Sequence, residues 1–189
     1  MTKNMAYVKS SIPRPGDGAG CAATRKSQII LVDVEDVETE PTREVGNCNV
    51  TGDLTLKAEA KAISIYATAS SIQVTEELSG DPDAEGIKTG IVFDHPGNSV
   101  AIKNFIEVFK NRGVIAIVQE CDGTDSGRPQ IMGRVCNPLR LSLETKMDGE
   151  ATKRTLTWKQ ALSDKFLAGE YSGKMPAVAE AAASAVGGA

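Results

Sequence analysis

Few residues in this 189-residue chain have the types and spacing that chemistry needs. Its one histidine, His95, stands in Asp94-His95-Pro96-Gly97-Asn98. An imidazole oriented by Asp94 is a candidate general base, yet no Gly-x-Ser-x-Gly elbow accompanies it. The same five residues read more simply as a bend from a strand into a helix, with Asn98 or Ser99 as cap. Cys21, Cys48, Cys121 and Cys136 contain no Cys-x-x-Cys pair, which disfavours a zinc ribbon. Without a secretion signal they are expected as reduced thiols, packed as small hydrophobes. Gly16-Asp17-Gly18-Ala19-Gly20 lacks the spacing of a dinucleotide loop. Asp122-Gly123-Thr124-Asp125-Ser126-Gly127 lacks the third ligand and the closing glutamate of a calcium loop. Glu76 and Glu77, as neighbours on a strand, point to opposite faces and cannot act as a carboxylate pair. Trp158, Tyr66 and Tyr171 are too few for a base-stacking platform. No catalytic residue, cofactor or metal is expected.

The elements that carry these residues are mostly strands. Residues 27–38 hold Ile29-Ile30-Leu31-Val32 and then alternate, placing Asp33 and Glu35 on the face opposite Val32 and Val34. A short extended stretch follows at 50–57. Residues 62–78 alternate for far longer than an ordinary strand, with a change of phase at Ser70-Ser71 that signals a bulge or bend. Gly80-Asp81-Pro82-Asp83 then predicts a polar turn. The apolar spacing of Ile102, Phe105, Ile106 and Phe109 predicts one amphipathic helix over about 99–112, ended by a cationic turn and Gly113. Val114-Ile115-Ala116-Ile117-Val118 reads as a buried strand, and 130–136, 139–147 and 153–160 as three more. The sum is a mainly β (α+β) chain: an antiparallel sandwich or barrel of about seven or eight strands with one flanking helix. Residues 1–26 are expected as an arm, 27–173 as the single domain, and 174–189 as a flexible Ala-rich tail.

Composition narrows the function classes. The 21 Lys+Arg against 25 Asp+Glu give a net charge of -4, the wrong balance for a basic nucleic-acid clamp. The N-terminus lacks a secretory h-region, and no run is long enough to span a bilayer, so membrane insertion is not expected. The positive signal is architectural. Long alternating segments and terminal arms are how small subunits reach neighbours, with strand addition as the available physics.

The order of these elements resembles the tail tube proteins (major tail proteins) of tailed bacteriophages. The likeness runs over residues 27–173. It comprises an early strand, an approach at 46–53, the long segment at 62–80, a strand ending in Asp94-His95-Pro96-Gly97, and one helix. It continues through the strand at 114–121 and Gly133-Arg134-Val135-Cys136-Asn137-Pro138-Leu139 to the Trp158 strand before Tyr171-Ser172-Gly173. The resemblance implies a virion subunit that assembles in the host cytoplasm into hexameric rings, stacked as the channel for DNA ejection. Partners implied are further copies of the chain, tape-measure, baseplate or tail-terminator proteins, and a sheath if the tail contracts. Double-stranded DNA would pass in transit, and an acidic wall would keep it from sticking. On this reading Asp33 and Glu35 are lumen-facing candidates. Ile72, Val74, Glu76, Glu77, Asp81 and Asp83, within 70–86, are candidates for an inter-ring hairpin. A monomeric binding module, another virion component such as a baseplate or connector part, and a small enzyme using His95 or Asp122 to Asp125 are the competing classes.

Overall fold

The computed structural model describes residues 11–14, 24–121, 129–147 and 152–180. Its strands are β1 (Arg25–Asp33), β2 (Val37–Thr39), β3 (Thr42–Glu44), β4 (Asn47–Thr51), β5 (Thr55–Leu56), β6 (Ile63–Tyr66), β7 (Gln73–Ser79) and β8 (Gly86–Pro96). After the helix α1 (Val100–Phe109) come β9 (Gly113–Glu120), β10 (Pro129–Met132), β11 (Leu139–Met147), β12 (Thr152–Gln160) and β13 (Gly169–Tyr171). The chain is mainly β with one α-helix, as its alternation predicts. Its large sheet is mixed, because β13 lies parallel to β4 while every other pairing is antiparallel.

Strand β9 is the branch point. One edge pairs with β1, which pairs in turn with β6. The other carries β10 along Ala116 to Gln119 and β11 at Gly113 and Val114. From β10 the sheet runs to β13, β4 and β3; from β11 it runs to β12, β8 and β7. The main core lies between the β11-β12-β8-β7 wing and the β6-β1-β9 strands. Ile29, Leu31, Ala116 and Val118 come from one side, and Ile91, Phe93, Leu156 and Trp158 from the other. Where β6 passes toward β7, Thr68 N–H donates to the Asp94 carbonyl and the Ser71 hydroxyl accepts from Asp94 N–H, which ties the connection after β6 to β8.

A continuous apolar run suits a strand covered on both faces, and β9 meets that expectation. Its alternate residues Ile115 and Ile117 enter a second core with Val32, Val50, Leu54, Ile131 and Tyr171. Covering that face are the β2–β5 ribbon and residues 174–180. Lys174 N–H donates to Asp53, and Ala62 exchanges backbone bonds with Ala177 and Ala179. Residues 174–180 are therefore a docked strap rather than the start of a flexible tail; 181–189 lie outside the described residues.

Three expected elements are broken, each for a local reason. The strand expected at 27–38 stops at Asp33, whose side chain accepts from Glu35 N–H and caps a 3-10 turn at Val34–Asp36. The extended stretch at 50–57 divides into β4 and β5. The long segment at 62–78 divides into β6 and β7 around a 3-10 turn at Ala69–Ser71, at the phase change. The helix matches its prediction closely. Ser99 is the N-cap, and Ile102, Ile106 and Phe109 are buried. Phe105 stacks on Phe109 at 4.7 Å, and both rings meet Trp158 edge-on. Gly113 is not a left-handed helix stop. It opens β9, where a Cβ would sit 2.5 Å from the Pro138 ring.

Candidate functional site

Strand alternation sorts the β7-β8-β12-β11 wing into two faces. On β12, Arg154, Leu156, Trp158 and Gln160 are buried, while Lys153, Thr155, Thr157 and Lys159 point away from the core. On β8, Ile91 and Phe93 turn inward and Lys88, Val92 and Asp94 outward. The inner face carries a polar network, although the buried Trp158 indole N–H has no partner in it. Gln160 accepts from both the Thr89 N–H and hydroxyl and donates to the Asn137 carbonyl. Arg154 donates to Asn98 Oδ1, which fixes the residue before the helix cap.

The outer face is wet and dominated by hydroxyls and ion pairs. Lys153 Nζ lies 2.6 Å from Asp94 Oδ2, and the Thr155 hydroxyl donates to Asp94 Oδ1 at 2.6 Å. Burial alone would raise the Asp94 carboxyl; those two bonds outweigh it and hold the group below its usual range. Lys159 Nζ lies 2.6 Å from Glu77 Oε2, across the intervening strand β8. That hydrogen bond, and then the charges of Lys159 and Lys88, lower the Glu77 pKa.

This wing also has two unpaired strand edges among the described residues. Strand β7 is seven residues long and pairs only with β8. Of the nine residues of β11, Leu139 and Arg140 alone pair with β9; the other seven have β12 on one side and no strand on the other. Successive antiparallel pairings make β7 and β11 run in opposite directions. Beside the two edges, Leu78 and Leu143 are 68% and 40% exposed among the described residues.

The sequence-derived candidates fall in several places. Asp33 is nearly buried and paired with Arg112, so it is a structural group rather than part of a strand's wet face. Glu35 is exposed but sits in the 3-10 turn, reached by the same guanidinium at 3.4 Å. Ile72 belongs to the core and Val74 packs against it. Glu76 and Glu77 do point apart: Glu76 accepts from Ala168 N–H and Glu77 from Lys159. The β7–β8 hairpin is tied down next to its turn, where Ser163 donates to the Ser79 carbonyl and Ile87 bridges to Asp164. Only the tip with Asp81 and Asp83 projects, and Asp83 there adopts a positive φ of 69°. Of the hairpin candidates, Glu77 alone joins the wet face.

The remaining chemical candidates do not converge. His95 Nδ1 lies 2.9 Å from the Tyr66 carbonyl, at the strand-to-helix bend. Cys48, Cys121 and Cys136 are exposed, not packed as the sequence suggests; Cys21 and the 122–127 loop lie outside the described residues. A cleft of about 280 Å³ beside β4 contains Arg43, Cys48, Lys165 and Phe166. Arg43 commits its guanidinium to the Leu167 and Ile131 carbonyls, and Glu44 also lines that space. Among the described residues, no three His, Cys, Asp or Glu side chains gather as a metal site.

The signal for the open-edged wing was present in the sequence as the alternation of β11 and β12. What alternation cannot reveal is which strand edges stay unpaired, because that depends on the partners β9 chooses. Compared with known proteins, the chain matches no family model, no curated protein and no solved structure.

Proposed function

We propose that this chain is a structural subunit of a tubular assembly, the tail tube of a tailed bacteriophage, built by joining β7 of one copy to β11 of the next. The carrying observation is the wing with two open edges, seven residues each and opposite in direction. The two free edges are staggered along the strands, so rotation about an axis tilted to the strands brings β11 of one copy beside β7 of its neighbour in antiparallel register, the pairing these edges can make. Head-to-tail contacts of this kind close into rings; six copies per ring is the number that the resemblance implies. The core and helix then lie on one side of the continuous sheet and the wet face on the other. That wet face, rather than Asp33 and Glu35, is the surface suited to line a lumen for double-stranded DNA. Its side chains replace the expected acidic wall with hydroxyls and closed ion pairs.

Negative-stain electron microscopy with light scattering over a concentration series tests this reading. Rings or hollow tubes with sixfold end views are expected, from the chain alone or on addition of tail tips. A monodisperse monomer under both conditions would reject it and favour a monomeric binding module.

A further inference from the structure

We infer that Glu77 acts as a charge mask that stops the wet face of the β7-β8-β12-β11 wing from holding a polyanion. The inference rests on the tube reading for its biological setting, but the geometry belongs to the single subunit. Among residues whose side chains are described, this face carries four cations (Lys88, Arg140, Lys153 and Lys159) and three carboxylates (Glu77, Asp94 and Glu144). Unmasked, four cations on a flat sheet would bind phosphates.

Glu77 stands directly opposite Lys88 on β8 and also accepts from Lys159 on β12. One carboxylate therefore faces two ammonium groups. The reach from β12 to β7 is possible because Gly90 lies between them in register, with Lys159 on one side and Thr75 on the other. A Cβ at Gly90 would come within 2.9 Å of Thr75 Oγ1 and 3.3 Å of Lys159 Cγ. The glycine thus leaves the gap in which the lysine stem lies across β8. Lys153 is masked separately by Asp94, and Arg140 donates to the Asn111 carbonyl. Glu77 is the member of this set whose loss exposes two lysines at once. Its side chain is 58% exposed, so exchanging it for the isosteric amide leaves the fold intact.

The test compares wild type, Glu77→Gln and a charge-matched control, Glu107→Gln. The control releases Lys110 on α1, away from the wet face. Each protein is run on heparin and incubated with duplex DNA of random sequence, while electron microscopy reads assembly separately. Glu77→Gln is expected to elute from heparin at higher salt than both others and to retain at least about tenfold more duplex. Its plot of log affinity against log salt should steepen by about 2, for two released lysines. Adding Lys88→Gln and Lys159→Gln should return binding to the wild-type level. If Glu77→Gln behaves like wild type, or only as the control does, the mask is overturned while tubes seen by microscopy keep the assembly reading. If no rings or tubes form, either alone or with tail tips, the assembly reading falls, and heparin elution of the folded monomer still decides the mask.

Discussion

Tyr171 shows how a single polar atom holds the second core together. Its hydroxyl accepts from the buried Leu54 N–H at 2.8 Å and donates to the Lys174 carbonyl at 2.7 Å. One oxygen thus joins the start of the strap to the loop before β5. Tyr171→Phe keeps the ring but leaves the Leu54 N–H buried without a partner, so a loss of about 1–3 kcal/mol is expected in chemical denaturation. The pH dependence follows from the same site. Desolvation is the main cause that raises the phenol pKa above its ordinary value of 10.0. A raised acid binds its proton more tightly folded than unfolded. Its contribution is therefore complete below pH 10 and lost as pH rises through the folded pKa. Wild type should lose stability above about pH 10, and Tyr171→Phe should show a smaller alkaline decline. Equal alkaline slopes would show that the phenol is not coupled to folding. Asp94 has the opposite sign, because its depressed pKa gives stability present above the usual carboxylate range and lost as the solution is acidified through the folded value. In Asp94→Asn the acid limb of the stability profile should flatten.

At the scale of elements, α1 was legible because its period is strong and its buried face is a single stripe. The stripe rests on one indole: Phe105 and Phe109 meet Trp158 at 6.5 and 6.4 Å. Phe109→Ala should cost about 3–5 kcal/mol in thermal or denaturant unfolding. Ser99→Ala should cost only about 0.5 kcal/mol, at the low end for a cap, since its bond to Ile102 N–H is a long 3.4 Å. A reversed order of these two losses would mean that local capping, not packing on Trp158, holds the helix. Strands β9, β11 and β12 were legible for comparable reasons, through an unbroken apolar run or clean alternation. What escaped the sequence were interruptions made by side chains and distant partners. Asp33 looks like the polar member of an alternating pair, yet it bonds back to Glu35 N–H and forward to Arg112. Gly113 looks like a helix stop, yet its lack of a Cβ is required by Pro138, 25 residues later in the chain. The strap at 174–180 has no periodic signal, because its attachment depends on Asp53 and Ala62. The wet face was partly readable on β12, but the bond from Lys159 to Glu77 needs the three-strand order that only the fold supplies.

For the whole molecule, the two open edges set how assembly should proceed. Antiparallel pairing provides about one backbone bond per residue pair, each worth about 1 kcal/mol net. A seven-residue edge therefore contributes on the order of 7 kcal/mol. Association of two proteins costs about 4–15 kcal/mol in lost freedom, so one such joint barely holds a dimer. Closing a ring adds a last joint with no further subunit to immobilise, and closed rings should dominate over open chains. The interface can be blocked without touching the core, because Leu78 and Leu143 are exposed in the lone subunit. Charged residues that point inward beside a strand edge oppose edge-to-edge pairing. The double variant Leu78→Lys with Leu143→Lys should keep the wild-type circular dichroism spectrum and melting transition. In sedimentation and electron microscopy it should remain monomeric at concentrations where wild type forms rings. Single variants should each cap one edge and, mixed with wild type in small amounts, shorten or open the assemblies, since a ring tolerates no unpaired joint. Tubes of normal length from the double variant would show that β7 and β11 do not meet between copies. The join would then have to be sought at another surface, with the β3 edge at the far end of the mixed sheet as the next place to introduce a lysine.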